Sequence, residues 1–105
     1  MKIVAVTCCS VGIAHTYMAA GGIEKACKAA GHSCKVETQG SIGIEDKLSA
    51  KEIAAADLVI FAADLPVLEV SRFEGKLLYE CGTEEFIKNK DKALAAAIEF
   101  YNNHK

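Results

Sequence analysis

The sequence predicts an α/β fold: a three-layer sandwich built on a four-stranded parallel sheet. Three observations predict it. Short β-branched runs, at 2–7 and Leu58–Ala63, alternate with longer stretches whose apolar residues recur at i, i+3 and i+4. The run from Leu58 to Ala63 is apolar without a break, the pattern of a strand buried on both faces. Cap and stop signals separate the segments, notably Ala30-Gly31, Ser49-Ala-Lys-Glu52 and Asp64 with Pro66.

Each element has its own warrant. The first strand, 2–7, ends at the cysteines Cys8 and Cys9. A helix is expected over about 15–30, with Ala19, Gly22, Ile23, Ala26, Cys27 and Ala30 on its apolar stripe. Gly21-Gly22 inside it costs ~1 kcal/mol per glycine relative to alanine, and close packing on the sheet would explain the pair. The second strand, 33–38, alternates Cys34, Val36 and Thr38 with Lys35 and Glu37, which suits a half-exposed edge. The stretch 39–43 follows as a glycine-containing loop. Ser49 and Glu52 form a capping box for a short helix, Ala50–Ala55. Leu58–Ala63 is the third strand, Arg72-Phe73-Glu74-Gly75 a loop or single turn, and 76–81 the fourth strand. Thr83 is placed to cap a short helix at 84–88, and Asp91 a last helix at 92–102 with the stripe Leu94, Ala97, Ile98 and Tyr101.

Right-handed crossovers restrict the topology, and an edge-like second strand beside a buried third gives the Rossmann-like order 2-1-3-4. The connections diverge between strands one and three. Ligands bind at such a switch point, outside the carboxyl ends of the strands. Cys9, Asp64 and the 38–43 stretch all follow strands and converge there.

Composition narrows the function. A chain of 105 residues is expected to form one domain, and its net charge of −2 with no basic block speaks against nucleic-acid binding. No segment reaches the length of a membrane span, and the first residues lack the layout of a signal peptide. The five cysteines are odd in number, with no C-x-x-C and no zinc-like spacing, so reduced thiols, no metal and no cofactor are expected. Cys27, Cys34 and Cys81 read as small apolar packing residues, and His32 and His104 as surface residues.

A strand feeding a helix through a small-residue loop makes an anion site, because the first helical N–H groups lack internal partners. Cys9-Ser-Val-Gly-Ile-Ala-His15-Thr16 has the form C-x5-H-[ST]. It resembles the C-x5-R-[ST] phosphate loop of tyrosine phosphatases, with His for Arg. The register selects Cys9 over Cys8, since six residues beyond Cys8 lies Ala14.

The resemblance extends further. Val4-Ala-Val-Thr7, Cys9 and Gly12-Ile-Ala-His-Thr-Tyr-Met-Ala-Ala20 closely resemble the fructose-type IIB subunits of the bacterial sugar phosphotransferase system. So do Val36-Glu-Thr-Gln-Gly40, Ile53-Ala-Ala-Ala-Asp57, Ala62-Ala-Asp64, and Arg72-Phe73 with Gly75-Lys76. Ser10-Val11 departs from the Pro-Thr usual in the family. The resemblance implies a phosphoryl carrier. Cys9 takes the group from a phosphohistidine on enzyme IIA and passes it, as phosphocysteine, to a fructose-like sugar held by the membrane subunit IIC. The backbone N–H groups of Ser10, Val11, Gly12, Ile13, Ala14, His15 and Thr16 are expected to hold the phosphoryl oxygens. Gln39, Gly40 and Ser41 are expected as supporting or docking residues by their place at the carboxyl edge, and Asp64 by its place after a strand. Arg72 and Phe73 join them as residue types favoured at interfaces. Turn, cap and core roles are the structural alternatives for these six. The resemblance also implies a cytoplasmic protein that meets the inner membrane only through IIC. Two other readings stand beside it: a small cysteine phosphatase with Asp64 as general acid, and a redox-sensing thiol protein.

Overall fold

The computed structural model describes residues 1–8, 13–40 and 43–104, with Ile13 described in its backbone alone. Its elements are β1 (Lys2–Cys8), α1 (Ile13–Ala29), β2 (Ser33–Gly40), β3 (Gly43–Glu45), α2 (Ala50–Ala55), β4 (Leu58–Ala63), a 3-10 turn (Val70–Phe73), β5 (Leu78–Cys81), α3 (Thr83–Lys88) and α4 (Lys90–His104). The sheet order is β3-β2-β1-β4-β5. The four parallel strands stand in the expected 2-1-3-4 arrangement, with β1 central and joined to β2 on one side and β4 on the other.

The fifth strand corrects the expectation of four. The stretch taken as a loop at 39–43 instead extends β2 to Gly40 and returns as β3, antiparallel to it. Gly40 pairs with Gly43 in this hairpin, and Gly43 adopts φ +102°, a conformation open to glycine at little cost. The hairpin covers the outer edge of β2 at its carboxyl end, so that strand is an exposed edge only over its first half.

Alternation along the strands divides the core into two layers. Ile3 and Ala5 of β1, with Leu58, Ile60 and Ala62 of β4, pack under α1, α3 and α4. Val4, Val6, Val59 and Phe61 point the other way, onto Ile53 of α2 and Phe73 of the 3-10 turn. Phe61 and Phe73 meet edge to face, 5.1 Å between ring centroids.

The helix ends show where local signals held. The capping box of α2 is complete: Ser49 Oγ accepts from the Glu52 N–H at 3.1 Å, and Glu52 Oε1 accepts from the Ser49 N–H at 2.9 Å. Gly31, at φ +79°, closes α1 in a Schellman motif, with the His32 N–H reaching the Cys27 carbonyl at 2.8 Å. Other boundaries moved. Helix α1 starts at Ile13 rather than at residue 15. Asn89, not Asp91, caps α4 through the Lys92 N–H at 3.2 Å. Thr83 is the first residue of α3 rather than its cap, and Gly82 stands at the N-cap. Glu85 reaches back to the Gly82 N–H at 3.1 Å, while Asp64, from the end of β4, accepts from the Thr83 N–H.

The two glycines of α1 have different reasons. A β-carbon on Gly22 would lie 2.4 Å from the Phe86 carbonyl oxygen of α3, so the helix–helix contact, not the sheet, requires glycine there. A β-carbon on Gly21 would meet nothing. Gly22→Ala is therefore expected to destabilise the fold by about 1–3 kcal/mol, as overpacking does. Gly21→Ala should stabilise it by up to about 1 kcal/mol through helix propensity. Urea melts of the two variants read the opposite signs directly.

Candidate functional site

The site lies at the carboxyl edge of the sheet. Strand β1 carries the chain there between its neighbours, with Cys8 in register with Gln39 of β2 and Ala63 of β4. The Cys8 carbonyl accepts from the Asp64 N–H at 2.8 Å, so the end of β4 is fixed beside the residue that precedes Cys9. Residues 9–12 separate β1 from α1. Cys9, Ser10, Val11, Gly12 and the Ile13 side chain lie outside the described residues, as does Ser41. Of the expected phosphate-loop residues, Ala14, His15 and Thr16 are placed in the first turn of α1. Ala14 is exposed, His15 half-buried and Thr16 buried. No acidic side chain occupies that turn to neutralise the positive end of this 17-residue helix.

Among the other cysteines, location argues against nucleophilic work. Cys8 sits inside the sheet and Cys27 is fully buried on α1. Burial first, and then the nearby Glu85 carboxylate, push the Cys81 thiol up to about 12, where it stays protonated at neutral pH. A hydrogen bond with Cys27, aided by burial, likewise raises the Cys34 thiol. Cys27, Cys34 and Cys81 carry no disulfide.

Two polar networks shape the edge. The first is built on Glu37, whose carboxylate is fully buried. Arg72 meets it as a fork: Nη1 to Oε1 and Nη2 to Oε2, both at 2.9 Å. The Leu48 N–H donates to Oε1 at 2.9 Å and the Gln39 amide to Oε2 at 2.8 Å. Gln39 also clasps the backbone of Leu68, accepting from its N–H at 2.8 Å and donating to its carbonyl at 3.2 Å. One carboxylate thus ties β2 to residue 48, the 64–70 segment and the 3-10 turn. Burial acts to raise the Glu37 pKa, but Arg72, Gln39 and the Leu48 N–H together hold it below the ordinary carboxylate value.

This network reassigns three residues. Glu37 belongs inside, not on an exposed strand face. Arg72 is committed to Glu37, and its guanidinium also lies 4.9 Å from the Phe73 ring centroid. Phe73 is a core side chain. Arg72, Phe73 and Gln39 therefore support the edge from within rather than offering side chains to a partner. Gly40 serves the hairpin with β3.

The second network is Asp64–Thr83–His15. The Thr83 hydroxyl lies 2.6 Å from Asp64 Oδ2, and its N–H donates to Oδ1 at 3.2 Å. The same hydroxyl lies 3.2 Å from His15 Nδ1. Both Asp64 oxygens thus act as acceptors, which does not suit a protonated general acid. The sequence pointed to His15 and Asp64 but missed Thr83, which joins them from 68 residues beyond His15. It also missed the exposed apolar side chains flanking the edge: Tyr17 and Met18 on α1, and Leu65, Leu68 and Val70 after β4. Tyr17 hydrogen-bonds Glu45, joining α1 to β3.

Removing one member of the buried pair should be severe. Arg72→Met leaves Glu37 buried without its counter-charge and is expected to cost about 3–5 kcal/mol in a denaturant melt. The lowered Glu37 pKa also fixes a pH dependence. Its stabilising contribution is complete above the unfolded-state carboxylate pKa of ~4.3 and is lost as pH falls through the lower folded value. Glu37→Gln should flatten that acid limb of the stability–pH curve.

Comparison with known proteins carries the geometry to a family. Residues 4–96 match the family model described as PTS system, Lactose/Cellobiose specific IIB subunit. The chain is 47% identical over 98 residues to the PTS system fructose-like EIIB component 2 of Escherichia coli, covering 93% of this chain and 92% of that protein. It is 50% identical over 100 residues to the fructose-specific EIIB'BC component of Xanthomonas campestris, covering 91% of this chain and 17% of that longer protein. A domain of the fructose-specific IIABC component of Borrelia burgdorferi superposes with a TM-score of 0.86 at 48% identity, covering 96% of this chain and 93% of the domain. The crystal structure of a predicted fructose-specific IIB from Escherichia coli gives 0.90 at 32% identity, covering 99% of this chain and 92% of that one. The lactose-specific IIB domain of Streptococcus pneumoniae, at 15% identity and a TM-score of 0.53, shares the fold alone. With its mostly parallel sheet, its strand-to-helix order around residues 8 and 13 and these matches along nearly its whole length, the chain belongs to the IIB family of the sugar phosphotransferase system.

Proposed function

We propose that this protein is the phosphocysteine carrier of a fructose-type sugar phosphotransferase system, with Cys9 as the residue phosphorylated. One observation supports the assignment above the rest: β1 ends at Cys8, in register between β2 and β4, and a 17-residue helix begins at Ile13. Cys9 therefore follows directly from the central strand at the topological switch point, where this fold class binds its ligands. Phosphoryl transfer asks chiefly for positioning and charge stabilisation. The first-turn amides of α1 answer the second need. A free thiol with a pKa near ~8.5 is only a few per cent ionised at neutral pH. A helix N-terminus lowers that value and supplies thiolate.

In the step itself, the Cys9 sulfur forms a bond to phosphorus as the phosphorus–nitrogen bond of a IIA phosphohistidine breaks. The thiol proton is lost and the donor imidazole regains one. Transfer onward breaks the sulfur–phosphorus bond, with the sulfur leaving as thiolate, and places the group on a sugar hydroxyl held by IIC, whose proton is lost; a fructose-like sugar is the substrate. A histidine at position 15, where tyrosine phosphatases carry arginine, holds phosphate less firmly, which suits a carrier that must release it. Donor and acceptor must both reach Cys9, so IIA and IIC dock on overlapping surfaces. No helix among the described residues is long and apolar enough to cross a membrane. As a IIB carrier the protein works in the cytoplasm and meets the inner membrane through IIC, with residues 1–105 acting as one IIB domain.

Incubation with a phosphorylated fructose-type IIA protein should add one phosphoryl mass to the intact chain. Cys9→Ser should abolish the adduct and Cys81→Ser should leave it in place. An adduct that survives Cys9→Ser would overturn the assignment. Rapid release of inorganic phosphate with no sugar acceptor would instead mark a phosphatase.

A further inference from the structure

Two buried hydroxyls stand side by side near the carboxyl end of the sheet. Thr7 is fully buried and Thr38 nearly so, and among the described residues neither Oγ1 has a hydrogen-bond partner. They are register partners across β1 and β2, one step before Cys8 and Gln39. Both side chains point to the helix side of the sheet. Alternation places Thr7 with Ile3 and Ala5, and Thr38 with Val36, all members of that core layer. Glu37 and Gln39 alternate onto the other face, so their network leaves these hydroxyls untouched. The neighbours on the helix side are apolar: Ala5 and Val36 precede the pair on the two strands, and Ala62 is the register partner of Thr7 on β4.

We propose that Thr7 and Thr38 form a binding site for a single buried water molecule that joins β1 to β2 on the helix side of the sheet. A buried hydroxyl with one donor and two acceptor sites is costly to leave unmet, and buried water is the usual remedy. The spacing fits. A water bonded to two hydroxyls at about 2.8 Å each, with its bonds at the tetrahedral angle, spans about 4.6 Å between them. Neighbouring strands lie about 4.8 Å apart. A direct bond would need the two oxygens at about 2.8 Å, and in this structure they do not meet. The chemistry selects water over an ion. Two neutral hydroxyls offer no counter-charge to an anion, and they fall far short of the roughly six oxygens a hard cation takes. Full burial of Thr7 admits only a small guest. Water has two protons and two lone pairs, so it serves both hydroxyls whichever way each is turned. The bridge adds a side-chain tie to the β1–β2 ladder at the end that leads to Cys8, and it does not depend on what group the protein transfers.

Nuclear Overhauser spectra between water and protein, recorded in both the laboratory and the rotating frame, identify a long-lived water by the sign of its cross-peaks. The wild-type protein should show such peaks at the methyl groups of Thr7 and Thr38. Valine is β-branched like threonine and removes only the hydroxyl. Thr7→Val and Thr38→Val should each lose the water signal and lower the folding equilibrium constant about fivefold, the worth of one ordinary hydrogen bond. The double variant should be no less stable than either single one, because no hydroxyl is then left unmet. Absence of the cross-peaks in the wild-type protein would overturn the proposal, and that measurement stands even if a variant fails to fold. With no water signal, single variants that lose stability would mark a direct Thr7–Thr38 bond instead. Single variants more stable than wild type would mark two dry hydroxyls, and would also overturn it.

Discussion

The buried carboxylate of Glu37 sets the terms for everything around it. An ionised group that has lost all contact with solvent must find both counter-charge and hydrogen bonds inside the protein. Here it finds them in Arg72, Gln39 and the Leu48 backbone, all within 2.9 Å. Arg72 and Leu48 come from separate stretches of chain, and Gln39, on the same strand as Glu37, reaches Leu68, so meeting one electrostatic need fixes the relative positions of several otherwise independent segments. The 64–70 segment is held through Gln39 at Leu68, and the 3-10 turn through Arg72. With these in place, the carboxyl edge of the sheet has defined walls on the side of α2.

On the opposite face the same edge is organised by Asp64 and Thr83. The two networks share no residue, yet both attach to the ends of strands that flank β1. Gln39 is the register partner of Cys8 on one side, and Asp64 hydrogen-bonds the Cys8 carbonyl on the other. Cys8 itself is thus fixed from both sides, by its register with Gln39 and by the Asp64 N–H on its carbonyl. A group-transfer site needs this more than it needs a deep pocket. On the proposed reading, one cysteine sulfur is presented to two successive partners, and rigidity in the supporting residues serves that better than enclosure.

Much of this was legible in the residues. The continuous apolar run Leu58–Ala63 identified the buried strand, and Ser49 with Glu52 identified a helix start, because both signals are local. The four parallel strands and their order followed from pattern and handedness alone. The register with His15 and Thr16 points to Cys9 over Cys8, a reading that belongs to the proposed function, and Asp64 stands out by its place after a strand. Errors arose where a side chain's role depends on a distant residue. Glu37 looked like a solvent-facing charge because alternation in β2 carries no information about Arg72, 35 positions away. Thr83 looked like an ordinary cap because its real partners, Asp64 and His15, arrive from other elements. The β3 strand was hidden in three residues that have no periodicity of their own.

What the sequence determined by itself was the pattern on which the proposed chemistry rests: a cysteine between a strand and a helix, with a histidine and a hydroxyl at fixed spacing, in a mostly parallel α/β frame. These depend on short-range geometry, in which residue type and separation along the chain suffice. What only the tertiary structure decided was how that chemistry is held: the fork of Arg72 on Glu37, the clasp of Gln39 on Leu68, and the hydroxyl of Thr83 between Asp64 and His15. Those contacts close long loops between side chains remote in sequence. Their existence is set by the packing of whole elements, which brings one residue of each pair to the other.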